Sequence, residues 1–162
     1  SGPFYGTALE SHLKLQELSD GKVICKNDSF LGFRHGPKAI IDETTLVCYF
    51  FSNDKYAYQY EKDLVDDMRK GTLPMLEVGI SEAPIHANAR SLQLFSLAEN
   101  KQPVIEAFLT VCFVLPAQII AFYKSLHLGL RPDAPSVSGS ISRVVQGVEI
   151  YSFTPVELKN QQ

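Results

Sequence analysis

The sequence has few of the residues that mark the specialised classes of protein. Its 162 residues include no tryptophan, two methionines and three cysteines, and their formal net charge is −3. A nucleic-acid-binding surface would need a basic excess, which this chain lacks. A disordered chain would have low hydrophobicity and high charge, whereas 45% of these residues are hydrophobic and 20% are charged. We therefore expect a folded domain that binds no nucleic acid.

The three cysteines do not indicate a disulfide framework or a metal site. Cys25, Cys48 and Cys112 are odd in number and far apart, and no CxxC or His-x-His spacing accompanies them. Phosphate-binding loops and dinucleotide fingerprints are also absent from the sequence. The first residues do not have the pattern of a signal peptide. We expect free thiols in a reducing cytoplasm and no metal.

One apolar run is long enough to cross a membrane. It extends from Pro103 to Tyr123, but it contains Glu106, Pro116 and Gln118 and stands alone among polar segments. A helix that is buried or packed against a partner is the better interpretation, and we expect no membrane association. The pattern predicts a long helix, about Val104 to Leu128, kinked at the proline.

The rest of the chain alternates between strand and helix patterns. This alternation predicts an α/β fold with a mainly parallel sheet in one domain, residues 1–162. The chain opens with a helical pattern that ends at Gly21, so the sheet is expected to lack its first strand. Four strands are predicted: Lys22–Lys26, Thr45–Ser52, Met75–Ile80 and Leu92–Leu97.

Three charged residues share one face of the first predicted helix. Glu10, Lys14 and Glu17 occupy positions i, i+4 and i+7, within a wedge of roughly 60°. Spacing alone favours a surface ion pair, because Glu before Lys at i+4 is the stabilising order. The functional alternative is a carboxylate that moves a proton next to a carbonyl, assisted by an ammonium group.

Two loops carry further candidates. His35 stands before Gly-Pro in a loop, and the tail SVSGSISR carries Ser138, Ser140 and Arg143. These hydroxyls and the guanidinium could bind phosphate or sugar oxygens. Taken alone, the histidine is a surface loop residue and the tail is a solvated turn.

Three collinear blocks nevertheless resemble a known family. ALESHLKLQELSDGKV, GFRHGPKAIIDETTLV and SLHLGLRPDAPSVSGSISRVVQGVEIY are similar to the C-terminal sugar-isomerase (SIS) domain of tagatose-6-phosphate ketose/aldose isomerases, a group that includes galactosamine-6-phosphate deaminating isomerases. The resemblance implies a flavodoxin-like domain with a five-stranded parallel sheet flanked by helices. It also implies two SIS domains per protein, of which this chain would be the second, incomplete at its N-terminal side.

The resemblance also implies roles for individual residues. Glu17 would move the proton between C1 and C2 of the open-chain sugar, and Lys14 would stabilise the intermediate's charge. His35 would open the sugar ring in a neighbouring subunit's site. Arg143 stands where a relative has a Schiff-base lysine, a reaction that a permanently protonated guanidinium cannot perform.

The expected function is therefore phosphosugar isomerisation, with possible deamination, through an enediol and without a cofactor. The expected partners are a sugar phosphate, the first SIS domain and a second copy of the chain in a homodimer or a larger oligomer. We expect Glu17 to face a sugar-sized hollow at the carboxyl edge of the sheet, and little turnover from this chain alone. The alternatives are a non-catalytic phosphosugar-binding regulatory domain and a dimerisation domain.

Overall fold

The computed structural model describes residues 2–85, 92–97, 102–139 and 147–152. Within these ranges the chain forms a parallel sheet with helices on both faces, which confirms the predicted α/β class. A short 3-10 turn, Pro37–Ile40, lies between the second helix and the first strand. The helices and strands, in chain order, are α1 (Phe4–Leu18), α2 (Phe30–Arg34), β1 (Leu46–Phe50), α3 (Lys55–Met68), β2 (Leu76–Ser81), β3 (Leu92–Ser96), α4 (Glu106–Phe113) and α5 (Leu115–His127).

The three strands pair in the order β1-β2-β3, all parallel. Leu46 is opposite Leu76, and Glu77 is opposite Leu92, so the register continues across the sheet. The apolar run Thr45–Ser52 predicts β1, because a strand covered on both faces of a parallel sheet is hydrophobic along its length, whereas Leu92–Leu97 shows a less clear alternation. Three of the four predicted strands are therefore confirmed.

Each face of the sheet has its own hydrophobic core. On one face, Phe51 and Tyr49 pack with Leu64 of α3 and Phe30 of α2. On the other face, Phe50 and Ile80 pack with Phe4 of α1 and with α4, whose Phe113 ring stacks on Phe4 at a centroid distance of 4.2 Å. Successive residues of β1 alternate between the two cores, as the period of a strand requires. Helices α1 and α4 thus cover one face, and α2 and α3 cover the other.

The segment Lys22–Lys26 does not form a strand, so that prediction is wrong. Val23 to Asn27 make no backbone bond to any strand within the described residues. Strand propensity alone does not hold an extended segment in a sheet, because the segment needs a neighbour that offers its own backbone groups. The preceding helix does end as predicted, with Gly21 at φ 71° donating its N–H to the carbonyl of Gln16.

The long apolar helix is divided at Val114 into α4 and α5. Pro116 lies in the first turn of α5, where its missing N–H costs nothing, so the predicted kink falls two residues earlier than its proline. The combined segment Glu106–His127 has the length and composition of a membrane span, and 22% of its 18-residue apolar window is buried in this fold. One side of α4 and α5 packs on the sheet and on α1, while the other remains exposed.

Candidate active site

Lys14 holds two carboxylates on the exposed side of α1. Its Nζ lies 3.0 Å from Glu17 Oε2 and 3.6 Å from Glu10 Oε1, and the side chains of Lys14 and Glu17 are 33% and 35% exposed. The hydrogen bond from Lys14 to Glu17 raises the pKa of the ammonium group, so Lys14 is charged at neutral pH. The arrangement presents a carboxylate that is oriented by an ammonium group and open to solvent.

The direction of α1 separates this pair from the carboxyl edge of the sheet. Phe4, at the start of α1, stacks on Phe113, whose ring also contacts Phe50 at the carboxyl end of β1. Glu17 is thirteen residues further on, about 20 Å along the helix axis at 1.5 Å per residue. The expectation that Glu17 faces a hollow at the carboxyl edge is therefore wrong, because α1 begins at that edge and runs away from it.

The loop that carries His35 is fixed to α3 by charge pairs on either side of the histidine. Asp67 of α3 pairs with Arg34, at 3.9 Å from its Nε, and with Lys38, which donates a short hydrogen bond. These cations lower the pKa of the Asp67 carboxyl, the Lys38 hydrogen bond being the largest cause. The exposed His35 between them is at the end of α2, where its N–H bonds the carbonyl of Gly32. The loop thus presents its imidazole to solvent from an anchored backbone.

The structure does not bring His35 and Glu17 together within one chain. Glu17 is on α1, which packs on the core that contains Phe50, whereas His35 follows α2, which packs through Phe30 on the opposite core. The sheet lies between the two. We therefore expect a site that uses both residues to take them from different copies of the chain.

The start of the tail reaches the same end of α1 as Glu17. Val137 donates its N–H to Asp20 Oδ2 at 3.3 Å, and Asp20 follows Glu17 by three residues. Ser138 comes next and is exposed, its Oγ 3.4 Å from that of Ser136. Two other predicted residues, Ser140 and Arg143, lie outside the described residues.

The carboxyl edge of the sheet carries a polar network that the sequence analysis did not single out. Glu106 accepts a short hydrogen bond from the Ser52 hydroxyl and a 3.0 Å bond from the Asn53 N–H. Glu82 accepts from the Asn53 side chain at 2.7 Å and from the Val104 N–H at 2.6 Å. These carboxylates join the loops after β1 and β2 to the segment before α4, beside a cavity of about 240 Å³. The sequence did contain a signal for this network, because polar residues directly follow the strand runs YFF and VGI.

Glu61 of α3 is buried behind this network, 2% exposed, and one of its two oxygens has a partner. Its Oε2 accepts from the Ser52 N–H at 2.8 Å, whereas Oε1 makes no hydrogen bond within the described part of the chain. Burial, with smaller contributions from Glu106 and Asp54, raises the pKa of the Glu61 carboxyl above its ordinary value. The native state therefore holds this proton at pH values where the unfolded chain has released it.

We expect Glu61→Gln to remove part of the pH dependence of stability. Because the native state binds the extra proton, wild-type stability falls as pH rises from the ordinary carboxyl pKa through the raised one. The variant should match the wild type near about pH 4 and become the more stable of the two near about pH 7. Urea unfolding at both pH values measures this, with Glu43→Gln on the exposed surface as the control. A constant difference between Glu61→Gln and wild type would contradict the burial of a titrating Glu61.

Comparison with known proteins finds relatives that all act on sugar phosphates by name. The chain is 39% identical over 153 residues to the D-galactosamine-6-phosphate deaminase AgaS of Escherichia coli, and 36% identical over 152 residues to that of a Shewanella species. It superimposes with a TM-score of 0.79 on the crystal structure of tagatose-6-phosphate ketose/aldose isomerase from Escherichia coli, at 34% identity. A scan against models of protein families finds no match.

These matches cover nearly all of this chain but less than half of each relative. The two deaminase alignments each cover 94% of the chain, and they cover 39% and 36% of the respective relatives. The structural match covers 96% of the chain and 38% of the isomerase. The chain thus spans about two-fifths of the length of the relatives it matches.

Proposed function

The chain belongs to the family of SIS domains found in tagatose-6-phosphate ketose/aldose isomerases and galactosamine-6-phosphate deaminases, and on that premise we propose that it supplies the proton-transfer carboxylate of a cytoplasmic phosphosugar isomerase. The observation that carries the proposal is the half-exposed Glu17, held at 3.0 Å by Lys14. A carboxylate so placed can be reached by a substrate, as a general base must be.

Glu17 would act on the open-chain form of the sugar phosphate. Its carboxylate takes the proton from C2 of the aldose while the carbonyl oxygen gains a proton, which gives a cis-enediol. The same group then returns its proton to C1 as the C2 hydroxyl gives up its own, and the ketose results. For a 2-amino sugar the corresponding enolamine gives a ketimine, and one water hydrolyses it to the ketose phosphate and ammonia.

The neighbouring polar groups would bind the substrate and stabilise the charge that develops in this reaction. The Lys14 ammonium lies beside the carboxylate and would stabilise the enediolate oxygen. Ser138 follows the tail residue that bonds to Asp20, and we place Ser138, Ser140 and Arg143 on the sugar or phosphate oxygens. His35 of another copy would open the ring before proton transfer. Each of these assignments uses only the residues of this chain and requires no cofactor.

The proposal is tested on a longer protein, in which this chain is joined to a segment that supplies the rest of its relatives' length. We take that segment to be the other SIS domain. We place the main phosphate-binding loops in that other SIS domain, so the chain alone should turn over little substrate. The joined protein should interconvert tagatose 6-phosphate with its aldose, or release ammonia from galactosamine 6-phosphate. If both sugar phosphates bind, as measured by thermal stabilisation, yet neither reacts, the domain is regulatory and the enzymatic proposal is wrong.

An exposed apolar stripe along α4 and α5 supports association with a partner domain. Its members recur every three or four residues and are each 45% to 69% exposed: Phe108, Val111, Leu115, Ile119, Phe122 and Leu126. A monomeric surface rarely carries a contiguous apolar patch of this kind. The stripe would therefore pack against the other SIS domain or a second copy, and the sheet that separates Glu17 from His35 favours the second copy.

We expect Ile119→Glu to break this association. Burying an unpaired carboxylate at the centre of an apolar interface is strongly unfavourable, so the variant should run as a monomer in light scattering after size exclusion while the wild type runs as a dimer or larger. Leu73→Glu is the control, because Leu73 is equally exposed at 55% but lies in the loop after α3. A wild-type monomer, or an unchanged Ile119→Glu oligomer, would exclude the stripe as the interface.

A further inference from the structure

Asp20 has a backbone conformation that residues with a side chain rarely adopt. It follows α1 with φ 52°, the one positive φ of a non-glycine residue in the described part of the chain. Its N–H bonds the carbonyl of Glu17, and the N–H of Gly21 bonds that of Gln16, so these two residues close the helix. Glycine adopts this conformation at no steric cost, whereas aspartate only tolerates it. The helix end therefore does not explain why this residue carries a carboxylate.

The turn around Asp20 is held by hydrogen bonds on both sides. Ser19, immediately before it, is completely buried. The Ser19 Oγ donates to the carbonyl of Gln16 at 3.1 Å and accepts from the N–H of Val23 at 3.2 Å. The N–H of Lys22 also bonds the Ser19 carbonyl at 3.0 Å. The Asp20 side chain therefore extends from a backbone whose position is fixed.

The carboxylate of Asp20 bonds a segment that is distant in the sequence. Its Oδ2 accepts from the N–H of Val137 at 3.3 Å, across a separation of 117 residues. The Val137 side chain is 79% exposed, and none of residues 131–139 is buried, so burial does not hold this segment in place. A hydrogen bond to a carboxylate is stronger than one between neutral groups. This bond therefore helps to fix the tail at the end of α1.

The stretch between α5 and this bond has little freedom of its own. Leu130 is buried, 6% exposed, and its N–H bonds back to α5 at 3.0 Å, so the tail leaves the helix at a fixed point. The N–H of Ala134 then bonds the carbonyl of Arg131 at 2.9 Å and closes a turn. Two prolines within the same stretch, RPDAP, restrict its backbone further. The tail is thus held by burial at Leu130 and by Asp20 at Val137.

We propose that Asp20 is a positioning residue, whose carboxylate holds the tail across the end of α1 that carries Glu17. The inference rests on the proposed function, in which Ser138 and the residues after it bind the sugar or phosphate oxygens. Ser138 follows Val137 directly, and Glu17 precedes Asp20 by three residues, so this bond brings the tail and the carboxylate of α1 to one place. Asp20 acts through the tail: it removes freedom that the tail would otherwise lose when the substrate binds.

Two variants of Asp20 separate the carboxylate from the backbone conformation. Asp20→Gly adopts the positive φ without strain but has no acceptor, whereas Asp20→Asn tolerates the same φ and keeps a side-chain oxygen that can accept. Amide hydrogen exchange of the full chain, followed by NMR, is the first measurement. We expect the Val137 amide to exchange about tenfold faster in Asp20→Gly than in the wild type, and within about threefold of the wild type in Asp20→Asn. The Leu130 amide is the internal control and should not change, and the melting temperature of Asp20→Gly should not fall.

The second measurement is the steady-state kinetics of the protein joined to its other SIS domain. Asp20→Gly should raise KM for the sugar phosphate about tenfold and leave kcat within about twofold, because Glu17 is intact, and Asp20→Asn should restore KM to within about threefold of the wild type.

Equal exchange of the Val137 amide in the wild type and in Asp20→Gly would overturn the inference. So would an active wild type whose KM is unchanged by Asp20→Gly, or a loss of kcat that the two variants share equally. If the joined wild type is inactive while Asp20→Gly still accelerates exchange at Val137, the proposed function is wrong and the anchoring of the tail by Asp20 is supported.

Discussion

Replacing Glu17 with Gln in the protein joined to its other SIS domain is expected to lower turnover of the sugar phosphate by about 10²–10⁴-fold. Glutamine keeps the shape and can still accept a hydrogen bond from Lys14, but it cannot take the proton from C2. Binding should survive because the substitution leaves the phosphate contacts in place. Steady-state kinetics and thermal stabilisation by the sugar phosphate measure the two effects separately.

Glu10→Gln provides the matched control for this substitution. Glu10 is on the same face of α1, also pairs with Lys14, and is 42% exposed. Removing its charge also takes an ion-pair partner from Lys14, although a weaker one, since Glu10 lies at 3.6 Å and Glu17 at 3.0 Å. We expect near-normal turnover from it. Equal losses from the two variants would mean that the charge of the cluster matters and that neither carboxylate moves the proton.

Replacing His35 with Ala is expected to lower turnover of ring-closed substrate by about 100-fold, while an analogue that cannot cyclise reacts at the wild-type rate. The imidazole would serve only ring opening, so a substrate already open does not need it. Asp67 pairs with Arg34 and Lys38 and does not contact the imidazole, so the loop should keep its conformation in the variant. Equal slowing of both substrates would contradict the ring-opening role.

The separation of Glu17 and His35 by the sheet adds a complementation test. When Glu17→Gln and His35→Ala chains are coexpressed, some mixed oligomers contain a site with one intact glutamate and one intact histidine. Those mixtures should recover activity that neither variant has alone. Failure to recover activity in purified mixed oligomers would mean that the two residues do not share a site across subunits.

The sheet and its helices were predictable where local pattern and tertiary environment agree. Within the run TLVCYFFS the six residues between Thr45 and Ser52 are all apolar, as expected of a strand that is covered on both faces. Asp54 caps α3 by accepting from the N–H groups of Tyr56 and Ala57. The prediction of a strand at Lys22–Lys26 was wrong because an extended segment joins a sheet only beside a partner strand, which residue propensity does not describe. Strand formation there is a property of the pair of strands.

The candidate site was predictable on α1 and not beyond it. Helical spacing alone brings Glu10, Lys14 and Glu17 together. In the structure both carboxylates lie within 3.6 Å of the Lys14 Nζ. The position of Glu17 relative to the sheet depends on which end of α1 meets the carboxyl edge, and the core that Phe4 shares with Phe50 decides that. Buried Glu61 was not predicted because its neighbours come from separate loops.

The central claim, that Glu17 moves a proton between the sugar carbons, is tested most directly by hydrogen exchange at C2. The protein joined to its other SIS domain is incubated with the sugar phosphate in deuterium oxide, and proton NMR follows the C2 signal. The account predicts loss of that signal with the wild type and with Glu10→Gln, and its retention with Glu17→Gln. Exchange by Glu17→Gln at the wild-type rate would contradict the account.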